Sequence, residues 1–235
     1  MAITGNHFAY HQAIMNIPGF LSSPVLMCGV QEIFGSEETF AGFPDVAWGL
    51  PQNPTVREML IARGFEDTIE LDFADTRAGM LWDLNEPVPA DWHNRFNTLW
   101  DIGTIEHVAN THQAMDNYLR MLRVGGHVCI HTPVKGAFMH GLHTFNPNYI
   151  IGSLKQNGCE IVYCEFSTMG GEPLSAIYDD HGELIRLKWV DTKRTGTVIP
   201  DALIWVVARK IEWRVPHVAI QQLAGESCGA EHAPG

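Results

Sequence analysis

Apolar and polar positions along the 235-residue chain alternate between two periods, and the switches between them mark its elements. Short apolar runs read as strands at residues 24–29 (PVLMCG), 67–72 (DTIELD), 79–84 (GMLWDL) and 97–102 (NTLWDI). Further runs follow at 127–132 (HVCIHT), 159–166 (CEIVYCEF) and 202–210 (ALIWVVARK). Between them lie stretches of helical spacing. Residues 6–17 predict an amphipathic helix. NPTVREMLIARG predicts another, with Asn53 as N-cap, Pro54 at its first position and Gly64 just past its end. In NTHQAMDNYLRMLRVGG, Met115, Tyr118, Leu119 and Leu122 repeat at helical spacing, and Gly125 and Gly126 are expected to end the helix. NPNYIIGSLKQNG repeats the Asn-Pro start and ends at Gly158.

Strands that alternate with helices imply an α/β fold with a mostly parallel sheet covered on both faces. Residues 1–22 form an N-terminal helical segment in this reading, and 23–211 the main domain. Within it, 167–200 is an insertion with a turn at DDHG, read as a hairpin, and 212–235 is an extension whose tail, GESCGAEHAPG, is expected to be disordered. The aromatic-rich stretch GSEETFAGFPDVAWGLPQ, between the first two strands, is either a substrate lid or packing over the sheet edge.

Charge narrows the function classes. A net charge of −12 argues against general nucleic-acid binding and against docking on anionic membrane, because both need surplus Lys and Arg. No apolar run approaches the ~20 residues that span a bilayer. The N-terminus lacks the basic start and apolar core of a signal peptide, and none of the five cysteines forms a CxxC pair. Buried free thiols in a reducing cytoplasm are the simplest account.

In parallel sheets, ligands bind outside the carboxyl ends of the strands, where strand order reverses. The residues there carry chemistry. Gly29, Val30, Gln31 and Glu32 follow the first strand; Asp72 and Asp75 the second; Asp83 the third. GTIEHV, with Glu106 and His107, follows the fourth, and TPVKGAFMHGLHTFNP, with His140 and His143, follows the fifth. Acidic groups after the second and third strands suit ribose hydroxyls and an adenine amino group.

From about residue 24 to 163 the chain resembles the class I S-adenosylmethionine-dependent methyltransferases. The run FNTLWDIGTIEHVANTHQAMDNYLRMLRVGGHVCIHTP is similar to that family's fourth strand, EHV turn, helix, GG turn and fifth strand. WDLNEPVP resembles its acidic turn, FNPNYIIGSLKQNGCEIV its next helix and sixth strand, and ALIWVVARK its last, antiparallel strand. The resemblance implies a seven-stranded, mostly parallel Rossmann-like sheet with that antiparallel last strand. It implies S-adenosyl-L-methionine as cofactor, with Gly29 and its neighbours at the methionine part and Asp72 at the ribose. Asp83 and Leu84 would flank the adenine, and Asp101, Gly103 and Thr104 would floor the pocket near the sulfonium. Glu106 and His107 would lie towards the methyl acceptor, with His107 as first choice of base and His140 as second. His143 and Thr104 would touch substrate.

The first loop departs from the family. GVQEIFG has Val30 and Gln31 where small residues are usual, so the Gln31 amide or the Glu32 carboxylate would have to contact the cofactor's amino-acid end. The expected activity is O- or N-methylation of a small molecule such as a sugar or natural product, by a cytoplasmic enzyme whose oligomeric state the sequence leaves open, a homodimer being one option. A methyltransferase-like binding protein that has lost its cofactor loop is the alternative. A nicotinamide enzyme is a weaker third reading, since no G-x-G-x-x-G follows the first strand. Glu106, His107, His140 and His143 are metal-capable, but they come from two loops, and adjacent Glu106 and His107 make an awkward pair; no metal is expected.

Overall fold

The computed structural model describes residues 2–34, 54–178, 184–189 and 201–214. The chain opens with strand β1 (Ala2–Thr4), a 3-10 turn over Gly5–His7 and helix α1 (Phe8–Met15). Strands β2 (Val25–Cys28) and β3 (Glu32–Phe34) precede helix α2 (Val56–Ala62), which leads to β4 (Thr68–Asp72) and β5 (Met80–Leu81). Strand β6 (Phe96–Ile102), helix α3 (Thr111–Met121), strand β7 (Leu122–Lys135) and helix α4 (Pro147–Gln156) follow. Strands β8 (Cys159–Thr168), β9 (Pro173–Tyr178), β10 (Leu184–Trp189) and β11 (Ala202–Lys210) complete the described chain.

Nine strands form one sheet in the order β10-β9-β8-β11-β7-β6-β2-β4-β5, where seven were expected. The seven expected strands are consecutive in it, and β9 with β10 adds an antiparallel pair beyond β8. From β5 to β7 the pairing is parallel, and β11 runs antiparallel between β7 and β8. A separate pair, β1 with β3, is parallel. The expected DDHG turn, the GSEETFAGFPDVAWGLPQ stretch, Asn53, Cys228 and the tail lie outside the described residues.

Alternation along each strand builds two cores. Val25 and Met27 of β2 join Ile14 of α1 and Val56, Met59 and Leu60 of α2. Leu26 and Cys28 join Met115, Tyr118 and Leu119 of α3 and Ile150 and Leu154 of α4. Successive strand residues point to opposite faces, so the two helix pairs sit on opposite sides of the sheet.

Three helices differ in their bounds from the sequence pattern. Helix α1 spans only Phe8–Met15, with the 3-10 turn before it. Helix α2 starts two residues late, because Thr55 makes a capping box: its hydroxyl accepts from Glu58 N (3.2 Å), and Glu58 Oε2 accepts from Thr55 N (2.8 Å). Pro54 therefore precedes the cap. Helix α3 ends at Met121, not at the glycines. Leu122 is already extended and pairs with Phe96, while the Lys210 ammonium donates to the Leu119 and Leu122 carbonyls (2.7 and 2.9 Å). Gly126 lies inside β7, where a Cβ would come 2.7 Å from Asn97 O.

Cys28, Cys129 and Cys159 are buried, Cys164 is half-buried, and none of the four is in a disulfide. No helix among the described residues is long and apolar enough to cross a membrane.

Candidate functional site

The chain places β4 and β5 on one side of β2, and β6 and β7 on the other. The loops after β2 and β4 and the one after β6 therefore leave a crevice at their carboxyl ends. A cavity of about 470 Å³ opens there. Of the residues singled out in the sequence, Gly29, Val30, Gln31, Asp72, Asp83, Leu84, Gly103, Thr104 and His107 wall it. Asp101, Glu106, His140 and His143 do not.

The glycine-poor turn has a definite shape. Gly29 takes φ +79°, and its N–H donates to Leu71 O at 2.7 Å, tying β2 to β4. The Gln31 side chain folds back and donates from Nε2 to Cys28 O (2.9 Å); the Thr104 hydroxyl donates to the same carbonyl (2.8 Å). A Cβ on Gly29 would meet Gln31 Nε2 at 2.8 Å and Thr104 Oγ1 at 3.1 Å, so only glycine fits under this lid. Gln31 Oε1 is buried and has no hydrogen-bond partner among the described residues. The chain then enters β3 instead of a helix.

Asp72 organises the second edge. Its Oδ2 accepts from Val30 N (3.1 Å), and its Oδ1 accepts from Ala74 N (2.9 Å) and Asp75 N (3.0 Å). Partial burial pushes its pKa up, but these three N–H groups outweigh that and hold it below the ordinary value. Glu32, expected to meet an ammonium, pairs instead with Arg77 (3.0 Å), which also grips Asp75 (2.7 Å).

Beyond Asp72 the wall turns apolar, with Phe73, Trp82, Leu84 and Val108. Asp83 Oδ1 accepts from both Asn85 N (2.9 Å) and Asn85 Nδ2 (2.7 Å), so this carboxylate shapes its own turn as well as facing the cavity. Buried Asn117 of α3 fastens the turn from below, donating to the Leu84 and Glu86 carbonyls (3.1 and 2.9 Å) and accepting from Val88 N (3.0 Å). Sequence reasoning passed over Asn117; its signal is a polar residue on the apolar stripe of a helix.

Asp101, expected on the pocket floor, lies beneath it and is fully buried. Its oxygens accept from Thr104 N (2.6 Å), Ile105 N (3.1 Å) and the Tyr118 hydroxyl (2.9 Å). Two of these bonds hold the turn, so Asp101 sets the position of Gly103 and Thr104, and the third ties it to Tyr118 of α3. Burial and then the nearby Glu106 push its pKa up to about 7.

The EHV turn is a 3-10 turn over Ile105–His107. Glu106 is buried, and its Oε2 accepts from the Thr132 hydroxyl (3.0 Å). Burial raises its pKa to about 7 against the Thr132 bond, which lowers it. Burial and then the neighbouring His140 lower that of His107. Glu106 O accepts from Leu142 N (2.7 Å) and His143 N (3.0 Å), locking the loop after β7 onto this turn. That contact brings His140 Nε2 to 3.4 Å from Glu106 Oε1, and the His107 and His140 rings to 5.2 Å between centroids. Glu106, His107 and His140 thus converge, which neither their adjacency nor their separate loops suggested. His143 does not join them; its Nε2 lies 3.2 Å from Ala109 O.

No family model matches the chain, and no curated protein matches it. Solved methyltransferases stand among its structural neighbours. An S-adenosylmethionine-dependent methyltransferase from Mesorhizobium loti is 12% identical, with TM-score 0.47 over 87% of this chain and 98% of that one. The 1,6-didemethyltoxoflavin-N1-methyltransferase of Burkholderia thailandensis, solved with its acceptor and S-adenosylhomocysteine, is 12% identical, with TM-score 0.43 over 88% and 77%. The [4+2]-cyclase SpnF is 14% identical, with TM-score 0.41 over 79% and 74%. Likeness at this distance assigns no activity, which has to be argued from the cavity itself.

Proposed function

We propose that this chain is an S-adenosylmethionine-dependent methyltransferase acting on a small-molecule acceptor. The observation that carries the reading is that Gly29, Asp72, Leu84 and Thr104 wall one cavity at the reversal of strand order. The donor set fits the cofactor. Buried Gln31 Oε1, without a hydrogen-bond partner among the described residues, is an acceptor for an ammonium. The Asp72 carboxylate keeps one lone pair, on Oδ2, for a ribose hydroxyl, and Leu84, Val108 and Trp82 offer apolar surface to a flat base.

The cofactor supplies a methyl group already activated by a sulfonium. The protein's work is alignment: Gln31 would hold the amino-acid end and Asp72 the ribose, and the apolar wall would take the base and exclude water. His107 stands on the cavity wall with its pKa lowered, so its imidazole is neutral at pH 7 and can take the proton of a hydroxyl acceptor. Small acceptors are favoured by the size of the cavity and by the net charge of −12, which suits neither nucleic acid nor an anionic membrane. One observation favours the non-catalytic alternative: the Gln31 amide lies over Gly29, in the space of the cofactor turn.

Calorimetric titration with S-adenosylmethionine and S-adenosylhomocysteine separates the two. Micromolar binding, weakened at least tenfold in Asp72→Ala, is expected. No heat and no thermal shift with either ligand would leave only the non-catalytic reading.

A further inference from the structure

We propose that Glu106, His107 and His140 form a binding site for one divalent transition-metal ion of the zinc or cobalt type. Each of the three offers a ligand atom, and these atoms all lie within 4.8 Å of one another. Ligands about 2.1 Å from a common ion are separated by at most about 4.2 Å, so a small side-chain rotation closes the set. His140 has the freedom to make it: its side chain is 38% exposed, against 1% for Glu106.

The fixed part of the site is built into the fold. Thr132 holds one Glu106 oxygen at 3.0 Å, and the other is left to His140, at 3.4 Å, longer than a good hydrogen bond. Leu142 N and His143 N clamp the carbonyl of Glu106 itself. A Cβ on Gly141 would come 2.9 Å from Glu106 Cγ and from its carbonyl oxygen, so the loop after β7 can close on the turn only because residue 141 is glycine, at φ +72°. Ala137 and Met139 also take positive φ, at 54° and 63°. Such backbone is unfavourable outside glycine, and it delivers His140 to the carboxylate.

Two imidazoles and one carboxylate are the donors of a borderline-soft ion, whereas magnesium and calcium prefer oxygen ligands. Three protein ligands leave coordination positions open, as in catalytic sites. His107 also walls the cavity, so an ion held by it would border that space. The ion would accept an oxygen donor of the acceptor and lower the pKa of a hydroxyl bound to it. His107, as a ligand, would then not serve as the base. Only this role for the acceptor rests on the methyltransferase reading; the site itself does not.

The test uses untagged full-length protein, stripped with chelator and free of cofactor. Zinc is titrated by calorimetry, and cobalt by its visible absorption. One equivalent per chain is expected, with affinity falling at least tenfold in His140→Ala and in Glu106→Gln and unchanged in His112→Ala. Absence of stoichiometric binding overturns the proposal. So does stoichiometric binding that survives both substitutions, since the ion then sits elsewhere. If Glu106→Gln does not fold, His140→Ala decides alone. Metal bound as expected by a protein that ignores S-adenosylmethionine would refute the methyltransferase reading and leave this site standing.

Discussion

Two groups of histidines border the carboxyl ends of the same strands, on opposite faces of the sheet. Thr132 faces Glu106, and its neighbour His131 turns the other way, under α1. There His131 stacks on Trp205 (centroids 3.6 Å apart, planes at 11°), and His11 meets the same indole edge-on at 5.0 Å. Both ring nitrogens of His131, and Nδ1 of His11, are buried without hydrogen-bond partners. Burial lowers both pKa values, that of His11 to about 3. On the other face His140 is part-exposed beside a carboxylate. The residue type is shared, and the surroundings decide the role: aromatic walls make imidazole a neutral packing element, whereas a buried carboxylate and an open cavity make it a ligand or a base.

Trp205→Ala should produce the largest effect. The indole is fully buried, carries the stacked rings and donates to the Ser167 hydroxyl at 2.9 Å. A loss of about 3–5 kcal/mol is expected in urea unfolding. A loss below 1 kcal/mol would mean that the aromatic cluster is not structural.

The pH dependence isolates His11. Its folded pKa of about 3 lies below the unfolded value of 6.5. The unfolded chain therefore takes up the proton first, and stability is lost as pH falls below 6.5. At pH 5 this amounts to about 2 kcal/mol. Phenylalanine has no proton to take up, so His11→Phe should gain about that much on wild type at pH 5 relative to pH 7. Comparing the variant with wild type cancels the titrating groups remote from His11, including Asp101 and Glu106, whose raised pKa values act in the opposite direction. An equal difference at the two pH values would show that His11 is not sealed.

Seven of the strands and three of the helices were legible because each carries its own period, and the Asn-Pro start of α4 is seen with Asn146 as the cap. What was not legible depends on contacts across the fold. The end of α3 is set by Lys210, which is 88 residues beyond Leu122, and by the pairing of Leu122 with Phe96. Asp101 reads as a pocket residue at the end of a strand, yet Tyr118 and two backbone N–H groups turn it inward. The position of His140 was invisible because positive φ at Gly136, Ala137, Met139 and Gly141 bends the loop. Only glycine announces such a conformation in sequence; Ala137 and Met139 do not.

The smallest stability effect is expected where the functional effect is large. His140→Ala removes a part-exposed ring whose one polar contact, to Glu106, is 3.4 Å long. In chelator-treated protein the change in unfolding free energy should stay within about 0.5 kcal/mol, the usual range for surface substitutions. Zinc should widen the gap, because an ion bound only by the native state stabilises wild type in proportion to its affinity and the variant less. Melting curves with and without zinc read both quantities. If His140→Ala instead costs as much without metal as Trp205→Ala, His140 is a packing residue like His131, and the contrast between the two faces fails.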